Sequence, residues 1–482
     1  MSDIVAALAD LRRANPSRTM IHHPASGRVI TADGLWQSQL AYTERLRAEG
    51  LGPQQVLVVA ANNRPSFVAL TVACRALKLV MVPVDHGTTT SETVELADRL
   101  NAAALIFSVD GDAAPAMPAR PIGDGLVLAA RTPSAAPAST DAAVMKLTSG
   151  STGAPRATMT TEAQLIADAR HIMAGMQIGP DDTQLAAIPL SHSYGMSVIL
   201  LPLLLQGTPV LLRESFVPEL LPEDARACGA RMFPGVPFMF QHFVEHPPAG
   251  GWPPGLNKLI SAGARLPAGT VRDFAAAFGV KIHTFYGTSE SGGIAYDDSD
   301  DSEVGDAVGP LLPGVTVTFV ADEGTPEGAG RIFVRSDAVS NGYAGERHDD
   351  FHEGGFLTGD FGAIDARGRL TLMGRVSSFV NVAGKKVDPH EVERVLRLMP
   401  GVRDVGVTAA PDPRRGQHVV ACLVVSEPIT AFSVREYCST RLAPHKIPRT
   451  IVFVDGIPRT LRGKVDRRAL DRLIASGTEP HG

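Results

Sequence analysis

Cysteine is scarce: four in 482 residues, Cys74, Cys228, Cys422 and Cys438, with no C-x-x-C pair among them. This spacing excludes a disulfide framework and a thiolate metal site, and points to a reduced, cytoplasmic setting. Positive charge is not in excess, because 45 Lys and Arg stand against 51 Asp and Glu, a net charge of −6. A general nucleic-acid binder needs a basic face, so that class is excluded. Long hydrophobic runs are missing too. The most apolar stretch, residues 196–205, is too short to span a bilayer and contains Pro202. Residues 1–15 set acids among apolar residues at helical spacing, unlike the basic start and apolar core of a signal peptide. There is no internal repeat and no G-x-x-x-x-G-K-S/T phosphate loop. The expectation is a protein that engages neither nucleic acid nor membrane, as monomer or dimer.

What is present suffices for large cores. Apolar residues make up 44% of the chain, and at about 150 residues per domain there is room for roughly three units or two large ones. The 47 glycines and 36 prolines indicate a loop-rich globular chain rather than a disordered one. Charge is unevenly divided: from Val376 onward 17 Lys and Arg face 11 Asp and Glu, so the part before it is acidic.

The runs Val56–Ala60, Val80–Val84 and 104–109 alternate with a helical pattern at 66–78. Continuous apolar strands between amphipathic helices predict a largely parallel sheet covered on both faces. Residues 111–137, rich in Ala, Pro and Gly, suggest irregular connection. The alternation resumes with a helix at 162–176, an apolar segment at 188–205, strands at 209–212, 258–262 and 281–285, and a helix over Ala268–Phe278. Beyond about residue 305, short runs at 315–321, 331–335, 361–365 and 369–372 with tight turns predict a small antiparallel subdomain. From Val376 a separate α+β unit follows, in which Asp388 caps a helix with Pro389 at its first position.

The most informative segment is residues 147–158, LTSGSTGAPRAT. Hydroxyls at Thr148, Ser149, Ser151 and Thr152 alternate with Gly150 and Gly153. Small residues let backbone N–H groups approach an anion, and hydroxyls add donors for phosphate oxygens. Taken alone the segment also fits a surface turn. It is followed by PLSHSYG at 189–195, SAGARL at 261–266, YGTSE at 286–290, Thr358-Gly359-Asp360, Gly374-Arg375 and PRTLRGKVDR at 458–467. In this order, from about residue 56 to residue 470, the segments resemble the signatures of the adenylate-forming superfamily, in its acyl-CoA synthetase (AMP-dependent synthetase and ligase) branch.

The resemblance implies an α/β fold: a large N-terminal domain of stacked αβαβα sheets with a small antiparallel subdomain, residues 1–375, then a small mobile α+β lid, residues 376–482. It also implies a two-step reaction, in which a carboxylate and ATP form an acyl-adenylate and pyrophosphate, and a thiol then displaces AMP. Two anions must meet in the first step, so a metal and cationic donors have to screen them. By position, Glu290 matches the Mg²⁺ ligand and Thr288, beside Gly287, a donor to the α-phosphate. Tyr286 would lie on adenine opposite the Gly263-Ala264 turn. Asp360 would accept from the ribose hydroxyls, and Arg375 would contact ribose or phosphate. Lys464, beside Gly463, matches the lysine that bridges substrate carboxylate and α-phosphate, and His192 the ring that gates the carboxylate.

Three segments depart from the family pattern. The phosphate loop ends in Pro155-Arg156-Ala157 rather than Pro-Lys-Gly; Ser377 stands at the hinge usually held by Asp; and Lys386 replaces an Arg common in synthetases. Relatives that activate amino acids place an Asp near the segment 191–195, and SHSYGMS has none. A non-amino carboxylic acid is therefore favoured, bound by Tyr194, Phe238, Met239 and Ile294, with Gly292-Gly293 leaving space. Gly384, with Lys385 and Lys386, matches the loop past which a pantetheine arm threads, with Arg414, Arg415 and Lys446 as further cations for CoA. The acceptor is CoA or the phosphopantetheine of an acyl carrier protein. A nucleotide-binding relative with reduced turnover stays as a third reading.

Overall fold

The computed structural model describes residues 2–61, 63–85, 88–108, 118–133, 140–148, 155–300, 307–321, 327–375, 380–382, 385–412, 416–459 and 465–476. The chain divides into two compact units: Met1–Thr316 with Val334–Phe356, and Val317–Phe333 with Leu357–Gly482.

Two sheets build the first unit. The seven-stranded sheet runs Arg120–Gly123, Leu126–Ala130, Ala104–Ser108, Val56–Ala60, Val80–Val84, Ala142–Thr148, Arg156–Thr161 in spatial order. Its four central strands are parallel. Side chains alternate between two cores: Leu57, Val59, Met81 and Ile106 on one side, Val58, Val80, Val82 and Phe107 on the other. Both faces are dry, which is why these strands are continuous apolar runs rather than alternating ones. The eight-stranded sheet runs Gly292–Tyr296, Ile282–Thr288, Lys258–Ser261, Met232–Gly235, Gln184–Ala186, Val210–Leu212, Thr19–His23, Arg28–Thr31. It is parallel through its middle and antiparallel at both ends.

Helix Pro65–Ala76 starts with proline at its first turn, where a missing N–H costs nothing. Every residue from Ser66 to Arg75 is buried, and the helix shares one apolar core with both sheets. A largely apolar helix buried on every side belongs between layers. The stacked αβαβα arrangement follows.

Two readings change. Residues 120–130, expected as irregular connection, form a hairpin of Arg120–Gly123 and Leu126–Ala130. Its turn residues Asp124 and Gly125 have φ of 51° and 72°. Positive φ at both centres is what Asp-Gly supplies in a tight hairpin, and the Ala-Pro-Gly content around it hid that signal. The apolar segment 188–205 becomes a short helix Ser193–Gly195, a π-helical turn Met196–Leu200 and a helix Leu201–Gln206.

In the second unit, residues 360–364 of strand Gly355–Ile364 pair antiparallel with Leu370–Arg375 around an Asp365–Gly368 turn. Farther on, Val402–Asp412 and Gly416–Val425 form the long central hairpin of another sheet, which Val380–Val382 and Thr450–Phe453 extend. Helices Pro389–Arg397 and Ala431–Ser439 contribute to its core through Val392, Leu396, Val434 and Cys438. Asp388 caps the first helix, accepting from the His390 N–H at 2.9 Å. Among the described residues no helix is long and apolar enough to cross a membrane.

Candidate active site

In the first unit the segments singled out by sequence, and two further polar residues, leave the carboxyl ends of parallel strands. Thr148 ends Ala142–Thr148, Asp85 follows Val80–Val84, and Asn63 follows Val56–Ala60. His192 comes after Gln184–Ala186, Gly263 after Lys258–Ser261, and Thr288 ends Ile282–Thr288. The carboxyl ends of parallel strands are where open α/β sheets bind ligands, since loops there can differ without disturbing the sheet, and here both sheets present theirs.

The predicted phosphate loop closes a hairpin. Thr148 pairs with Arg156 and Leu147 with Ala157 across the antiparallel strands. Ser149, Gly150, Ser151, Thr152 and Gly153 lie outside the described residues. Ala157 sits in extended strand, so the freedom of the usual glycine is not needed there. Arg156 is engaged by protein groups: Nη1 donates to His348 Nε2 at 3.0 Å, and Nη2 is 3.3 Å from Glu346 Oε1. Its guanidinium lies over the Tyr343 ring, 5.2 Å from the centroid.

Glu290 tips the turn between Ile282–Thr288 and Gly292–Tyr296, with Thr288 paired to Gly292. Thr288 Oγ1 accepts from the Ser291 N–H at 3.1 Å and shares a proton with Ser291 Oγ at 2.9 Å, which tightens the turn. The Glu290 carbonyl accepts from the Ser340 N–H at 2.8 Å, and Glu290 Oε1 accepts from the Tyr343 hydroxyl at 3.0 Å. Tyr286 is buried and Gly287 exposed on the same strand. Gly263, at φ +79°, faces Val236, and Ala264 follows it, partly exposed.

The 191–195 segment is tied to that turn, because Ser193 Oγ donates to Ser289 Oγ at 2.7 Å. His192 Nε2 lies 3.0 Å from Asp85 Oδ2. Upstream, buried Asn63 donates to the Ile188 carbonyl and accepts from the Leu190 N–H, both at 2.8 Å. Neither Asp85 nor Asn63 was found by sequence: each is an ordinary loop polar residue until the sheet sets it beside the 188–192 strand exit. Tyr194 donates its hydroxyl to the Ile260 carbonyl at 3.0 Å, and its ring lies 5.8 Å from that of Phe285. Burial raises its phenol well above the ordinary range.

The expected pocket residues separate. Met239 and Ile294 are buried, whereas Phe238 is 37% exposed and rests edge-on against Phe216. Gly292 and Gly293 do not leave open space. A Cβ on Gly292 would stand 2.4 Å from Asp168 Oδ1, and one on Gly293 would stand 2.8 Å from Leu312 and 3.0 Å from Ile172 and Phe285. Their missing side chains are filled by protein, so the glycines serve close packing rather than substrate volume.

Beneath the turn lies a buried polar cluster absent from the sequence reading. Asp168, on helix Glu162–Gly175, accepts from the Gly293 N–H at 2.8 Å and from Ser197 Oγ at 2.5 Å. Lys146, two residues before Thr148, is buried as well. Desolvation pulls its ammonium below the usual lysine range, opposed by the charges of Asp168 and Glu290.

In the second unit, Asp360 and Arg375 are directly opposed in the hairpin register, and Asp360 is buried. Lys464, Ser377, Gly384, Arg414 and Arg415 lie outside the described residues. Lys385 and Lys386 belong to strand Lys385–Val387. Lys446, expected as a cation for CoA, instead gives both 2.7 Å contacts to the Glu391 carboxylate. All four cysteines are free thiols.

Comparisons with known proteins converge. A family model for the AMP-binding enzyme matches residues 9–344, and one for the AMP-binding enzyme C-terminal domain matches residues 391–464. The sulfoacetate–CoA ligase of Cupriavidus necator is 27% identical, over 97% of this chain and 97% of its own length. A feruloyl-CoA synthase from an Amycolatopsis species is 27% identical over 94% and 95%. The crystal structure of ATP-bound MatB from Rhodopseudomonas palustris, 24% identical, shares the fold with a TM-score of 0.82, covering 98% of this chain and 99% of its own.

Proposed function

The chain belongs to the AMP-binding enzyme family, and from that premise we propose that it is an ATP-dependent carboxylate–CoA ligase acting on a non-amino acid. One observation carries the reading. The His192 segment and the Glu290 turn are joined by the Ser193–Ser289 hydrogen bond of 2.7 Å, and Tyr343 ties the Glu290 carboxylate to the outer strand of the phosphate hairpin. Two CoA ligases that match over nearly their whole length support the choice of acceptor.

In the first half-reaction a substrate carboxylate oxygen bonds to the α-phosphorus of ATP, and the bond to the leaving pyrophosphate breaks. In the second, the thiol sulfur bonds to the acyl carbon, its proton is lost, and AMP departs. Thr148 and the following hydroxyls and N–H groups hold phosphate, while Thr288 stands near the α-phosphate. Tyr286 and the Gly263-Ala264 turn frame adenine, and Asp360 with Arg375 takes the ribose. Lys464 bridges the two reacting anions, and an ammonium suits such a point contact. His192, held by Asp85, borders the carboxylate. Gly384, Lys385 and Lys386 line the pantetheine path, and residues 376–482 act as a lid turning at Ser377. Free thiols throughout suit a cytoplasmic setting.

Glu290 fits a magnesium ion. Tyr343 occupies Oε1, and among the described residues Oε2 accepts no hydrogen bond. No group of three or more His, Cys, Asp or Glu able to hold a metal occurs among the described residues. Glu290 would offer such a cation one hard carboxylate oxygen, the donor type that suits Mg²⁺. When bound, Mg²⁺ supplies charge neutralisation between the phosphates and the incoming carboxylate.

The test is carboxylate-dependent exchange of labelled pyrophosphate into ATP across a panel of aliphatic and aryl acids, then CoA addition with mass detection of the thioester. Exchange followed by an acyl-CoA product is expected. No exchange with any acid overturns the reading, and exchange without transfer to CoA but with transfer to a holo carrier protein overturns the acceptor.

A further inference from the structure

The phenol of Tyr343 is the one side chain among the described residues that hydrogen-bonds the Glu290 carboxylate. Its position is over-determined. Tyr343 bridges Thr158 in an antiparallel contact, the Met159 N–H donates to the Gly342 carbonyl at 2.8 Å, and the Ala344 N–H donates to the Ala157 carbonyl at 2.8 Å. The segment 341–344 thus lies along the outer strand of the phosphate hairpin. The ring is packed edge-on by His348 at 5.4 Å and Phe351 at 5.2 Å. Above it sits the Arg156 guanidinium, itself held by His348 and Glu346.

The consequence is geometric. Arg156 belongs to the phosphate hairpin and Glu290 to the turn that presents the metal-facing carboxylate, and Tyr343 touches both. A carboxylate at a hairpin tip is free to rotate about χ3, so either oxygen can face the ligand. A phenol fixed by backbone pairing removes that freedom by binding Oε1, which leaves Oε2 for a ligand. A guanidinium over the ring face favours the arrangement further, because the ring quadrupole attracts a cation. The Arg at position 156 matters here for a second reason. A planar fork can bind Glu346 and His348 and still lie flat on an aromatic face, which an ammonium does less well.

We propose that Tyr343, clamped by Arg156, is a positioning residue that orients Glu290 toward the metal–nucleotide complex. This rests on the adenylating reading above, and ties the departure at Arg156 to the metal ligand rather than to phosphate. Tyr343→Phe keeps the ring, its edge contacts and its backbone pairing, and deletes only the donor.

The experiment is calorimetric binding to the full-length protein, with an ATP analogue carrying a methylene bridge between its α and β phosphates. It is run over a Mg²⁺ titration and again in chelator, with AMP in chelator as the reference ligand. The expected result is that Tyr343→Phe raises the Mg²⁺ concentration for half-saturation roughly tenfold, the scale of one lost hydrogen bond to a charged group. AMP affinity in chelator and the melting temperature of the free protein should not change, and saturating Mg²⁺ should restore pyrophosphate exchange. An unchanged Mg²⁺ requirement overturns the inference, as does an equal loss of affinity for AMP in chelator, which marks general damage to the site. A wild-type protein whose nucleotide affinity ignores Mg²⁺ overturns the functional reading itself, a result separable from failure of the Tyr343 inference.

Discussion

Lys464 carries the largest electrostatic role assigned to a single side chain. Removing one preorganised charge from a developing anion costs on the order of 10²–10³ in rate, so Lys464→Ala should lose acid-dependent pyrophosphate exchange to that extent. Nucleotide binding to the variant should persist, and full exchange activity would show that another cation does this work. Asp168 acts differently. It satisfies the Gly293 N–H and Ser197 from inside the core, near the Lys146 ammonium. Asp168→Ala leaves the Gly293 N–H and the Ser197 hydroxyl without their acceptor and removes a negative charge that offsets the desolvation of Lys146, for which about 3 kcal/mol of lost stability is expected. Chemical denaturation measures it, with the midpoint falling. Glu290, Thr288 and His192 were visible in sequence because their motifs are local. Asp168, Lys146, Asp85 and Tyr343 were not, because each acts on a partner more than fifty residues away in the chain.

Among the elements, the chain around residues 189–200 does the most to set the site. Gly195 allows it: a Cβ there would stand 2.2 Å from the Pro189 carbonyl oxygen and 3.2 Å from the Leu190 Cα. Backbone cannot yield as a flexible side chain does, so Gly195→Ala must displace the short helix that follows His192. We expect a stability loss of about 1–3 kcal/mol from overpacking. The KM for the carboxylic acid should rise more than the KM for ATP, which steady-state kinetics with each substrate varied in turn will resolve. Equal changes in both would place the damage in the sheet rather than in the His192 segment. The π-helical turn that follows is one more sign of local strain at this point. From hydropathy alone this stretch was only an apolar run, since periodicity does not separate a buried helix from a buried strand.

For the whole molecule, the proposal of a lid turning at Ser377 makes a claim about sequence rather than contact. Proline locks φ near −65°, so Ser377→Pro should restrict a rotation without touching any ligand. Adenylation and thioester formation, measured separately by pyrophosphate exchange and by single-turnover transfer from preformed acyl-adenylate, should then fall unequally. Parallel loss of both, or no loss, removes the hinge role from Ser377. The charge asymmetry has the same scale: a segment with 17 basic and 11 acidic residues follows an acidic body, a distribution suited to closing over polyanionic ligands.

By itself the sequence determined the class of fold, the order of the motifs and the chemistry they imply. Strand character, helix caps and signature segments are written in neighbouring residues, so Val56–Ala60, Val80–Val84 and Ala268–Phe278 were legible with their ends in place. The departures at Arg156 and Ala157 were equally visible, but not their meaning. Only the tertiary structure decided that Ala157 lies in strand, where no special backbone freedom is required, and that Arg156 covers Tyr343 instead of standing free. It also decided that Gly292 and Gly293 make room for Asp168 and Leu312 rather than for substrate. The reason is physical. A glycine or a cation declares what a position permits, whereas what fills the space or balances the charge comes from segments that only the fold brings alongside.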